Sequence, residues 1–168
     1  MIKVILDKKD LKLIETELEN EPIIQTTLED DQIALIVDDL SYERIEKILK
    51  KITVSRKEVV FETHSGWVRL YIGDILYIES FGSQIIIHTI KNGNISIKQT
   101  LYQLENILAN FHIIRIGKSF LVNLSKVVYI HSRMNAKLAL ELVGGIKLEV
   151  TRSFVKSFKN ALGIGGVK

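Results

Sequence analysis

The sequence predicts a mainly β protein: an antiparallel β-domain with short helices, preceded by a small α+β module. Three observations predict it. From Val59 the chain breaks into short apolar runs at regular spacing, separated by Gly- and Asn-containing turns. Before that point strand-like runs alternate with two segments of helical periodicity. Charge divides in the same place: residues 1–51 hold 8 Lys/Arg against 13 Asp/Glu (−5), and residues 52–168 hold 15 against 7 (+8). The run from Lys50-Lys51 through Ser55-Arg56-Lys57 marks the boundary between a module at 1–51 and a domain at 52–168. It is not rich in Gly, Pro or Ser, so the two parts are expected to be close and not loosely tethered.

In the module, Ile2–Leu6 reads as a short buried strand. Asp7 or Asp10 can cap a helix carrying Leu11, Ile14 and Leu18 at i, i+3 and i+7, and Pro22, the single proline, marks its end. Ile23–Leu28 and Gln32–Val37 read as strands around the acidic turn Glu29-Asp30-Asp31. Ser41 caps a second helix with Tyr42, Ile45, Ile48 and Leu49 inward. About 50 residues is close to the limit for independent folding, so the module is expected to lean on the following domain or on another copy of itself. The run I-V-D-D-L at Ile36–Leu40 has the look of the paired acids of a phosphorylation receiver. A receiver needs a doubly wound sheet of roughly 100 or more residues. Only residues 41–51 separate the pair from the charge boundary, so Asp38 and Asp39 read as a strand end and a helix N-terminus.

In the domain, Val59–His64, Trp67–Ile72, Ile75–Ser80, Ile85–Ile90 and Asn94–Lys98 read as strands. His64-Ser65-Gly66 is a turn, and Asn92-Gly93 carries a strong hairpin signal between the fourth and fifth. Thr100 caps a short helix with Leu101, Leu104 and Leu108 on one face. Phe111–Asn123 follows, then strands at Lys126–His131, Lys137–Val143 and Ile146–Val150, with Gly144-Gly145 as a turn. Thr151 caps a last helix in which Phe154, Phe158 and Leu162 recur, ended by Gly163, Gly165 and Gly166.

Several function classes find no support. The four histidines have neither i, i+4 nor H-x-E spacing, and no metal or cofactor is expected. There is no P-loop, G-x-S-x-G or G-x-G-x-x-G, and Glu79 has no second carboxylate near it in sequence, so an enzyme is not expected. Cysteine is absent, no apolar run approaches the roughly 20 residues that span a membrane, and the N-terminus lacks signal-peptide layout. A cytoplasmic location without membrane insertion is expected.

The basic domain points to an anionic partner, and phosphates are the commonest. F-H-I-I-R-I-G-K-S-F-L-V-N at Phe111–Asn123 places Arg115, Lys118 and Ser119 around Gly117, a bend that presents a cation and a hydroxyl together. Arg152 stands between Thr151 and Ser153 at a helix start, where free N–H groups and the dipole favour phosphate. The plainer readings are a strand–turn–strand and a surface cation. Phe154, Phe158 and Trp67 read as packing residues.

Taken in order, I-L-Y-I-E-S at Ile75–Ser80, F-x-x-x-R-x-x-K-S-F-L-V-N, paired strands and V-T-R-S-F-V-K-x-F resemble the LytTR-type DNA-binding domain of bacterial transcription regulators, over about residues 55–162. The resemblance implies an elongated, mostly β fold that reads successive major grooves of double-stranded DNA with loops and not with a recognition helix. It places Phe81-Gly82-Ser83-Gln84 at the first contact region, with Gln84 as base reader and Ser83 beside it. Lys118 and Ser119 fall at the second, with Arg115 nearby, and Arg152 and Ser153 at the third. Asn123 and Phe111 are implied to be structural. Many members carry His where this chain has Gly117, so one polar contact of the usual motif is missing. Many also carry a receiver ahead of this domain; none is read here. The expectation is a response-regulator-like transcription regulator that stands alone or is regulated differently, its acidic module serving dimerisation or control by a regulatory protein partner. Two-repeat operators would suit a homodimer. The acidic module would also shield the basic face in the absence of DNA. The alternative is a basic protein-interaction module docking an acidic protein or an anionic surface.

Overall fold

The computed structural model describes residues 2–11, 14, 18, 23–27, 31–37 and 41–164. The chain forms two compact units, Met1–Arg56 and Lys57–Lys168. In the first, β1 (Ile2–Asp7), β2 (Ile23–Thr27) and β3 (Gln32–Val37) make an antiparallel sheet in the order β1-β3-β2. Helix α1 (Tyr42–Ser55) follows, its N-terminus capped by Ser41, whose Oγ accepts from the Arg44 N–H at 3.4 Å. Alternation along the strands turns Leu6, Ile33 and Leu35 to one face, where they bury with Ile14, Leu18 and Ile48. Leu49, expected inward, is 54% exposed. The packed positions Ile45, Ile48 and Ile52 follow i, i+3 and i+7, which leaves Leu49 on the shoulder of that face.

Asp7 makes no capping bond to the turn Lys8–Asp10. Its carboxylate accepts from Arg56 Nη2 at 2.8 Å, and the buried Asp10 pairs with the same nitrogen. Arg56 thereby fastens the end of α1 to the turn after β1, and the first unit continues past Lys51 to this residue. The expected helix end at Pro22 and the Asp38-Asp39 pair lie outside the described residues.

The second unit is mainly β, as the sequence predicts. Strands β4 (Glu58–Thr63) and β5 (Gly66–Tyr71) form a hairpin. Strands β6 (Ile75–Phe81), β7 (Gln84–Thr89), β8 (Asn94–Ile97), β9 (Ile113–Arg115) and β10 (Phe120–Asn123) form an antiparallel sheet in the order β8-β7-β6-β10-β9. Strands β11 (Val127–Arg133), β12 (Lys137–Leu142) and β13 (Lys147–Val150) form a second antiparallel sheet in chain order.

Strand β10 lies where the layers meet. Val122 buries with Ile116, with Leu138, Leu140, Leu142 and Val150 of the second sheet, and with Phe158 of helix α3 (Val155–Leu162). Alternation turns Leu121 to the opposite face, over which helix α2 (Leu101–Leu108) packs with Leu101, Leu104 and Leu108 buried. Asn123 fastens the end of β10 to the start of β6. Its amide donates to the Ile72 carbonyl at 3.2 Å and the Ile75 carbonyl at 2.8 Å, and its Oδ1 accepts from the Ser125 N–H and hydroxyl.

The local signals act differently at the two short helices. Thr100 caps α2 in a reciprocal box with Gln103, as its spacing suggests. Thr151 makes no side-chain capping bond; a 3-10 turn, Arg152–Phe154, leads into α3 instead. At the other end Gly163, at φ +69, closes α3 in the left-handed conformation, while Gly165 and Gly166 lie outside the described residues. Asn92-Gly93 belongs to a loop longer than the two-residue hairpin its sequence suggests. Thr89 Oγ1 accepts from the Asn92 N–H at 2.9 Å and donates to the Gly93 carbonyl at 2.8 Å. Among the described residues no helix is long and apolar enough to cross a membrane.

Candidate nucleic-acid interface

Three short connections carry the residues singled out in the sequence. The first is the turn between β6 and β7, where Phe81 pairs with Gln84 and leaves Gly82-Ser83 as a two-residue tip. Gly82 takes φ +60 at the first central position, which glycine adopts without a Cβ penalty. The tip holds Ser83 and Gln84 in solvent, beside a Phe81 that is 68% exposed.

The second is Ile116–Ser119, between β9 and β10. Ile116 and Gly117 are buried, Ser119 is half-buried and Lys118 is exposed. Arg115 is a clamp under this loop. Its Nε donates to the Gly117 carbonyl at 2.7 Å and its Nη2 to the Lys118 carbonyl at 2.5 Å, while Nη1 meets Glu105 of α2 at 3.0 Å. Only 20% of the side chain is exposed. The guanidinium fixes the backbone of the loop, and the Lys118 side chain is exposed.

The third is Thr151–Ser153, leading into α3. The Thr151 N–H donates to the Ile116 carbonyl at 2.9 Å, which seats the exposed Arg152 and Ser153 beside the second connection. The first and second connections are joined in the same way, by the Ser80 N–H on the Ser119 carbonyl at 2.8 Å. Two backbone hydrogen bonds therefore link three loops that are far apart in sequence. Ser83, Gln84, Lys118, Ser119, Arg152 and Ser153 use none of their side-chain polar atoms on a partner among the described residues.

An open cleft of about 1170 Å³ runs from Gly117–Phe120 to Thr151–Ser153 and onto the second sheet. Lys118, Arg152, Arg133, Lys137 and Lys147 line it, against the carboxylates of Glu141 and Glu149. Lys137 is neutralised by Glu149 at 2.9 Å, whereas the other four cations form no ion pair among the described residues. Such a surface holds an extended anion better than a small ligand. Arg133 and Lys147 were not singled out in the sequence. No local signal marks them: Arg133 on β11 pairs with Lys137 and Lys147 on β13 with Glu141, the β12 positions turned outward when Leu138, Leu140 and Leu142 turn inward.

A Cβ at Gly117 would meet Thr151 Cγ2 at 3.6 Å, an ordinary contact, so the glycine is not forced by crowding at that atom. Elsewhere, Glu79 is paired with His88 (Oε2 to Nε2, 3.0 Å) beneath a stacked Tyr77 ring. Burial, and then the Glu79 charge, pushes the Tyr77 hydroxyl above its usual range. His64, His112 and His131 are exposed, and among the described residues no cluster of His, Asp and Glu is placed to hold a metal.

Comparison with known proteins agrees with this architecture. The chain is similar to the sensory transduction protein LytT of Bacillus cereus, 25% identical over 177 residues covering 88% of this chain and 72% of that protein. It is similar to LytT of Bacillus subtilis at 26% over 172 residues, covering 88% and 71%. In fold it matches a solved LytTr DNA-binding domain from Bacillus cereus, with a TM-score of 0.56 at 23% identity over 63% of this chain and 96% of that one. The family model of the LytTr DNA-binding domain matches residues 65–163, which span the five-stranded sheet, all three connections and the second sheet. This chain belongs to the LytTr DNA-binding domain family.

Proposed function

We propose that the protein is a transcription regulator that binds promoter DNA sequence-specifically through the three linked connections. Phosphate contacts set affinity and register, while Gln84, Lys118 and Arg152 carry most of the base reading. Lys and Arg suit guanine O6 and N7, and Gln suits adenine N6 and N7. Ser83, Ser119 and Ser153 add hydroxyl contacts beside them. Arg115 acts from below, by holding the carbonyls of Gly117 and Lys118. The observation that carries the reading is the convergence itself: three exposed polar side chains, without partners among the described residues, on loops bonded to one another.

The test is a titration of the protein into labelled duplex from its own upstream region and into shuffled duplex, across a salt series. Lys118→Ala and Arg152→Ala should each cost about 1–3 kcal/mol on the upstream duplex and much less on the shuffled one. Equal, weak and purely salt-driven binding of the wild type to both duplexes would reduce the surface to a basic patch and favour an acidic protein partner.

A further inference from the structure

We propose that Arg133 is a DNA-backbone contact outside the three connections, so that the phosphate track continues from Arg152 across the second sheet. The inference rests on the DNA-binding reading above and extends it to a residue on a different element.

The register of the second sheet places the residue. Val150, the last residue of β13, pairs with Leu138, so the chain leaves the sheet toward Arg152 at the end where β12 begins. Arg133 pairs with Lys137 at that same end. Neighbouring strands lie about 4.8 Å apart, so the backbone of Arg133 stands roughly 10 Å from the line of β13. Arg152 just past the end of β13, Lys137 at the start of β12 and Arg133 at the end of β11 thus form a row at one end of the sheet, and all three line the cleft that contains Lys118. In the middle of the row, Lys137 is neutralised by Glu149 at 2.9 Å. Arg133 at its far end is exposed and has no partner among the described residues. The remaining carboxylate of the cleft, Glu141, pairs in register with Lys147 toward the other end of the strands.

A cation left unpaired on the outer face of a sheet, in line with a loop that enters a groove, suits a phosphate better than a base edge. The side chains assigned to base edges lie on the three connections, and a guanidinium matches phosphate oxygens with its planar fork. Such a contact gives affinity and orientation without sequence information.

The experiment compares full-length wild type, Arg133→Ala, Arg133→Lys and a control of equal net-charge change, Lys91→Ala, in the β7–β8 loop outside the cleft and paired with Asp74 at 3.7 Å, on the upstream and shuffled duplexes between about 50 and 200 mM salt. Arg133→Ala should weaken binding by the same factor on both duplexes and lower the slope of log affinity against log salt by about 1. Its penalty should then be about three- to fourfold larger at the low end of the series than at the high end. Arg133→Lys should restore most of the slope, and Lys91→Ala should leave it unchanged. An unchanged slope in Arg133→Ala, or a slope change equal to that of Lys91→Ala, overturns the contact. A loss confined to the upstream duplex overturns the phosphate role in favour of base reading. Failure of the DNA-binding reading is separate, because it would be seen in the wild type as equal affinity for both duplexes.

Discussion

At the scale of single residues, Arg115 belongs to the basic motif by sequence yet spends its guanidinium on partners within the protein. Its spacing from Lys118 marks both as part of one basic motif. Spacing says nothing about which way the loop carbonyls point. The structure turns the Gly117 and Lys118 carbonyls onto the guanidinium and ties the other side to Glu105. Charged hydrogen bonds of this kind contribute about 1.5–3 kcal/mol, and lysine cannot replace a fork that grips two carbonyls. Arg115→Ala is therefore expected to lower unfolding stability by about 1–3 kcal/mol in urea titrations. It should also speed amide exchange at Lys118 and Ser119 and weaken binding to the upstream duplex. Arg115→Lys should recover little. If Arg115→Ala lost DNA binding while stability and exchange stayed at wild-type values, Arg115 would be a direct contact and not a positioning residue.

At the scale of elements, most strands of the second unit were legible because their ends carry glycine or asparagine. Gly82 and Gly144 both occupy turns at positive φ, which their neighbours in the strands could not adopt cheaply. The connection between β11 and β12 is the exception. Met134–Ala136 holds one turn-forming residue, Asn135 at φ 60, yet the following Ala136 is also left-handed at φ 56. An L-residue other than Asn or Asp in that region costs about 1–2 kcal/mol. Ala136→Gly removes the Cβ clash and loses part of the gain to a looser unfolded chain. A net stabilisation of about 0.5–1 kcal/mol is expected, read as a higher urea midpoint at unchanged slope. A lower midpoint would mean that the Ala136 side chain contributes contacts that outweigh its backbone strain. What the sequence left unread is the non-local pairing. Strand β10 inserts between β6 and β9, and this alone brings Lys118 beside the Gln84 turn. The row from Arg152 to Arg133 was hidden for the same reason, since it exists only once three strands are in register.

For the whole molecule, the charge division and the two compact units bear on one question, the effect of the first unit on DNA binding. Cutting at Lys51 would remove the start of α1 and leave Ile52–Ser55 without the residues it packs against. Cutting after Arg56 follows the division between the units. Residues 1–56 hold 9 Lys/Arg against 13 Asp/Glu and residues 57–168 hold 14 against 7, so the shorter chain rises from a net +3 to +7. If the first unit opposes DNA through its field alone, the 57–168 chain should bind the upstream duplex severalfold more tightly near 50 mM salt. That gain should fade at several hundred millimolar, as the screening length falls from about 10 Å at 0.1 M toward a few ångströms at 1 M. If the unit instead pairs two copies on a repeated site, removing it should weaken binding at every salt concentration, because the second contact is no longer intramolecular. The charge division favours the first outcome. A salt-independent loss of affinity, together with a monomeric sedimentation profile for 57–168 and a dimeric one for the full chain, would assign the unit to dimerisation and remove the shielding role.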